Sequence, residues 1–342
     1  MSADEVVSGR GRSVGGPFFE DLHVGDVADG APALTLTEGH AALHQAILGD
    51  RLRLALDATL SRRVLGAATP VAHPGLVCDV AIGQSTLLTQ RVIANLFYRG
   101  LVLRRAPLIG DTLRTTTEVV ALRQNRPRPG RAATGLAVLR IRTTDQDDRR
   151  VLDFWRCAML PLRDPTGATH HDDDLDAIPA ELDAAALQQT VADWDLAAFA
   201  DAVPGEHAAS LVEGARWTVE GGDVVSAAPE LARLSLNVAT AHHDATSPNG
   251  RRLVYGGHTI GLAASHLTRA LPNLVTIVAW HGCDHLGPVV EGDTLFSDVE
   301  LERIEALPSG GALVHLRCRV AAVRRDERAD VLDWRPVGVV AP

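Results

Sequence analysis

The chain repeats itself at an offset of about half its length. Pro107-Leu108-Ile109-Gly110-Asp111-Thr112-Leu113 returns as Pro288-Val289-Val290-Glu291-Gly292-Asp293-Thr294-Leu295, and Val151-Leu152-Asp153-Phe154-Trp155-Arg156 returns as Val331-Leu332-Asp333-Trp334-Arg335. From Asp111 to Asp293 is 182 positions and from Val151 to Val331 is 180. Two independent matches at nearly one offset mean duplication. A period this long is a whole small domain and not a solenoid unit.

Residues 17–163 and 191–342 read as the two domains. Between them, 164–190 holds Asp-Pro, Thr-Gly and the run His170-His171-Asp172-Asp173-Asp174, the composition of a linker. Contiguous ligands on a polar segment seldom converge on one ion, so no metal site is expected there. In the first half, Thr37–Leu48 reads as a helix and Pro74–Leu88 as a second, apolar on most sides and therefore buried. Strand patterns follow at 101–103, 112–123, 134–143 and 151–160. The second half repeats this with an apolar helix at 258–271 and strands at 275–280, 294–304, 312–323 and 331–340. The expected fold class is α+β, a sheet wrapped around a central helix in each half, with the two sheets joined edge to edge.

A formal charge of −10 with no basic run works against nucleic-acid binding. Four scattered cysteines spell neither a disulfide framework nor a zinc cage, and a reducing cytoplasm is the default expectation. Met1–Gly16 lacks an apolar centre and reads as a loose tail, and no apolar run is long enough to predict a membrane span. Gly9-x-Gly11 lies in that tail and not between a strand and a helix, so no dinucleotide cofactor is implied.

Chemistry concentrates in Asn237-Val238-Ala239-Thr240-Ala241-His242-His243-Asp244 and Arg251-Arg252-Leu253-Val254-Tyr255-Gly256-Gly257-His258. A buried helix opening at Gly-Gly offers unpaired N–H groups with no side chain in the way, and its dipole favours negative charge. With His242 as general base, this is what adding water to an α,β-unsaturated thioester requires. The other reading makes His242 and Asn237 satisfied polar residues and Gly256-Gly257 a turn. His243 and His258 read as structural.

The order of helix, Gly-Asp turn, His-containing stretch, Val-Tyr-Gly opening of an apolar helix and Pro-x-x-x-Gly-Asp-Thr-Leu resembles the MaoC-type, hydratase-2-type, dehydratases across both halves. That resemblance implies a tandem (double) hotdog fold. The family motif Gly-Asp-x-Asn-Pro-x-His-x-Asp is matched in part by Gly49–Asp57, with Ala55 at the catalytic His position. In the second half His242 falls on that His, Asp244 on the trailing Asp, and Asn237 on the catalytic Asp. The Arg251–His258 segment is similar to the mesaconyl-CoA (2-methylfumaryl-CoA) hydratase branch. The resemblance implies reversible hydration of an enoyl-CoA carrying a second carboxylate, with His242 activating water and Asn237 orienting it. Gly256 and Gly257 would hold the thioester oxygen, and Tyr255, Arg251, Arg252 and Asp50 would contact or assist the substrate. An acidic limb near pH 6–7 is expected for His242.

Arg126, Arg128 and Arg131 on one turn are either the patch for the coenzyme A phosphates or a solvated hairpin tip. No cofactor is expected beyond the coenzyme A of the substrate, and the expected assembly is a homo-oligomer, a dimer or trimer of double hotdogs. Thioester hydrolysis on a related hotdog fold and non-catalytic acyl-CoA binding remain the competing classes.

Overall fold

A helix without a polar face has to be enclosed on every side, and Pro74–Gln84, the first central helix, is such an element: from Leu76 to Gln84 every residue is buried. In the computed structural model, which describes residues 14–246 and 252–342, four long strands wrap it: β1 (Ala94–Leu103), β2 (Thr112–Gln124), β3 (Thr134–Thr144) and β4 (Arg150–Pro161). The second half repeats the order. Its central helix, Gly256–Ala270, is enclosed by β5 (Leu274–His285), β6 (Thr294–Ala306), β7 (Ala312–Arg324) and β8 (Glu327–Val340). The expected loose tail lies for the most part outside the described residues. Among the described residues, no helix is long and apolar enough to cross a membrane.

All eight long strands form one antiparallel sheet in the order β2-β3-β4-β1-β5-β8-β7-β6, with short strands at the outer edges. The halves join where β1 meets β5, in the register Tyr98 opposite Cys283 and Leu101 opposite Trp280. The fold is the expected α+β double hotdog. The first central helix is shorter than its apolar run suggested: it passes at Ser85 into a 3-10 turn, Ser85–Thr89. There the hydroxyls of Ser85 and Thr86 donate to the carbonyls of Ile82 and Gly83, an alternative to continued α-helix. Residues 164–190 run back along β2, where the Leu122 amide donates to Asp173 and His171 meets the Phe19 ring edge-on.

Close approach of the second half to the first central helix depends on Gly83, where a Cβ would lie 1.7 Å from the Ser235 carbonyl oxygen. Gly83→Ala should therefore force backbone apart, at a cost of about 1–3 kcal/mol or more. Chemical denaturation checks this, and an unchanged midpoint would show that the two segments are not held at that distance.

Candidate active site

One turn carries the candidate base. Leu236 takes a left-handed conformation (φ 61°), and the Asn237 side-chain carbonyl accepts the Ala239 amide at 2.9 Å. The first half builds the same turn at Gly49 (φ 65°) and Asp50, whose carboxylate accepts the Leu52 amide at 2.7 Å. Glycine adopts this conformation freely, whereas leucine does so at a cost of about 1–2 kcal/mol. A 3-10 turn at Thr240–His242 follows.

His242 is then fixed by its partner. Its Nδ1 lies 3.1 Å from the Leu253 carbonyl, which can only accept, so the proton is on Nδ1 and Nε2 keeps a free lone pair. Tyr255 packs against the imidazole, with ring centroids 5.7 Å apart. Burial pushes the His242 pKa down to about 4; the Leu253 carbonyl opposes the shift, and the charges of His243 and Arg156 add to it. That lies below the value near 6–7 expected from sequence, because the charged imidazolium loses the hydration that stabilises it in water.

His242, Asn237, Tyr255 and Gly256 line one cavity of about 330 Å³ between the halves. The first half supplies Ile82, Thr86, residues 92–96, Tyr98 and Arg156. The Asn237 side-chain amide nitrogen donates to no protein group among the described residues. The Gly256 amide, first in its helix, has no intrahelical acceptor. Gly257 faces elsewhere. A Cβ there would meet Asp79 Oδ1 at 2.1 Å in the closed seam between the two central helices.

Several other expected site residues fall outside this cavity. Asp50 is buried 2.9 Å from His73, which outweighs burial and keeps its pKa below the ordinary carboxylate value. It is spent on the His73 contact and does not reach His242. Arg252 is ion-paired to Glu291, and Arg251 lies outside the described residues. Arg126, Arg128 and Arg131 are exposed on the β2–β3 turn. That turn shares the sheet end at which β1 begins, because Ala94 pairs with Met159 and Thr134 with Pro161. Among the described residues, no group of three or more His, Cys, Asp or Glu is arranged to hold a metal ion.

Two cavity residues carried no sequence signal of their own. His285 packs on Gly256, where a Cβ would meet its Nε2 at 2.7 Å, and burial lowers its pKa to about 4. Arg156 belongs to the repeated motif, but its side chain points the opposite way from that of Arg335. The first copy has one residue more, Phe154, and a shift of one position in a strand moves a side chain to the other face. Arg156 is buried and Arg335 is exposed and paired with Glu302.

No protein-family model matches the chain. A beta-methylmalyl-CoA dehydratase from Chloroflexus aurantiacus is 30% identical over 323 residues, covering 90% of this chain and 88% of that protein. A mesaconyl-CoA hydratase from Cereibacter sphaeroides is likewise 30% identical, covering 90% of each. Among solved structures, a Mycobacterium tuberculosis protein with a double hotdog fold is 54% identical, with a TM-score of 0.90 over 96% of this chain and 100% of that one. A MaoC domain dehydratase from Chloroflexus aurantiacus is 26% identical, with a TM-score of 0.82 over 95% of this chain and 97% of that one.

His242, His258, His285 and His315 all have pKa values near 4, each lowered first by burial. The unfolded chain, with histidines near 6.5, binds protons that the fold refuses. Stability should thus be full above about pH 6.5 and decline as pH falls towards 4. Urea midpoints measured across that window check it, and a flat dependence would contradict the burial of these side chains.

Proposed function

The chain belongs to the MaoC-like double hotdog hydratases and dehydratases, and from that membership we propose that it is a hydro-lyase adding water reversibly across the double bond of an enoyl-CoA thioester. The observation that supports the reading is the single cavity in which the free Nε2 of His242, the Asn237 amide and the start of the second central helix meet. In the hydration direction His242 Nε2 takes a proton from water as its oxygen bonds the β-carbon. The π electrons move to the thioester, whose oxygen becomes enolate-like against the Gly256 amide at the helix start. The proton on Nε2 then passes to the α-carbon, so that one water is added and the base restored. Asn237 has no titratable proton and acts by orienting the water.

The acyl group we propose carries a second carboxylate, in line with the substrates in the two relatives' names. Arg126, Arg128 and Arg131, exposed and without an ion pair among the described residues, are proposed to meet the coenzyme A phosphates from the sheet end that holds the cavity. Coenzyme A enters only as part of the substrate. Hydrolysis of the thioester is less well served, since none of the described residues lining the cavity is Asp or Glu. A cytoplasmic setting and a homo-oligomer of two or three chains complete the proposal, and light scattering measures the latter.

Loss of enoyl-thioester absorbance without release of free thiol selects hydration; thiol release would instead select hydrolysis. His242→Ala should lower kcat by about 10²–10⁴, the usual worth of a general base, and near-normal turnover would return His242 to a structural role. Because only the deprotonated imidazole is a base, kcat/KM should stay level from pH 8 to about 5.5 and fall below about pH 4. A limb at pH 6–7 would show instead that the base keeps the ordinary pKa of an imidazole and is not desolvated in the free enzyme.

A further inference from the structure

Arg252 is paired to Glu291, so among the described residues adjoining the catalytic turn no arginine is left free for the substrate's second carboxylate. We infer that Arg156, reaching from the first half into the second half's cavity, is the receptor for that carboxylate and sets the preference for a short dicarboxylic acyl group. The inference rests on the enoyl-CoA reading above.

Arg156 stands on β4 opposite Tyr98 of β1 and is 3% exposed. One terminal nitrogen donates to Thr89 Oγ1 at 2.6 Å and to the Ser85 carbonyl at 3.2 Å. Both acceptors are neutral, so they aim the guanidinium without balancing its charge. Its Nε is buried and bonded to nothing. No carboxylate pairs with it among the described residues, whereas Arg140, Arg142, Arg317 and Arg324 on the same sheet each hold an Asp or Glu.

A buried, unpaired cation is costly, and an incoming carboxylate can satisfy it with a bidentate fork. The described cavity residues include no competing acid: the other walls are mainly aliphatic, among them Ile82, Ile93, Leu253 and Val254. Arg156 lines the same cavity as His242 and its charge acts on that imidazole, which suits an acyl group whose carboxylate lies close to the reacting double bond.

The test compares kcat/KM for mesaconyl-CoA and crotonyl-CoA, enoyl thioesters with and without the second carboxylate. The ratio should fall about 100-fold or more in Arg156→Gln, as expected when one partner of a buried charge pair is removed. It should fall about 10-fold in Arg156→Lys, which keeps the charge and loses the planar fork. If Arg156→Gln does not fold, Arg156→Lys carries the test on the same ratio. Calorimetric binding of succinyl-CoA against butyryl-CoA to wild type and variant asks the question without turnover, separating failure of catalysis from failure of carboxylate recognition. A wild type that favours neither member of either pair removes the dicarboxylic reading and this assignment with it. A wild-type preference that survives intact in the variants overturns the assignment alone.

Discussion

The antiparallel pairing of β1 with β5 sets the register in which the two halves meet, and the cavity exists only because of it. Tyr98 lies opposite Cys283 across that seam and opposite Arg156 on its other side. His285, two residues beyond Cys283, thereby comes within ring contact of Tyr98 at 5.9 Å. First-half residues become one wall of a cavity whose candidate base is in the second half. Backbone pairing alone would tolerate other registers; inward faces that must stay apolar remove them, since a slip of one residue exposes every buried side chain.

Charge inside the cavity is unbalanced by design of the fold. Arg156 and His242 share a space with no carboxylate among the described residues of its walls, and the positive charge of one helps keep the other neutral. A neutral imidazole is the form that can take a proton from water. Arrival of an anionic acyl group would offset the Arg156 charge and raise the basicity of His242 when substrate is in place, so binding and activation are coupled through one guanidinium.

The duplication has been kept in backbone and broken in chemistry. Asp50 and Asn237 occupy the same kind of turn, each capping the amide two residues on. Asp50 meets His73 at the start of the first central helix, where Asn237 meets an open cavity. The corresponding space beside Val71 and Leu103 is reduced to about 10 Å³ by residues that include Thr190 and Trp194. Nearby, Leu187, Val191, Leu196 and Phe199 pack with Leu54 and Val71 in one apolar cluster. A half without a base at Ala55 has its opening filled by the chain that leads to the other half.

Sequence by itself determined the duplication, the two buried helices, the order of elements along each half and the candidacy of His242 beside the helix start at Gly256, because these are written in periodicity, helix-opening residues and motif spacing that act locally. The family resemblance also placed Asn237 where an acid would be expected. Tertiary structure alone decided the rest. Whether Arg156 faces in or out turns on one extra residue in a strand, Asp50 is diverted by His73, and the protonation of His242 depends on how much water a cavity excludes. Those outcomes depend on contacts between positions far apart in the chain, which no local pattern encodes.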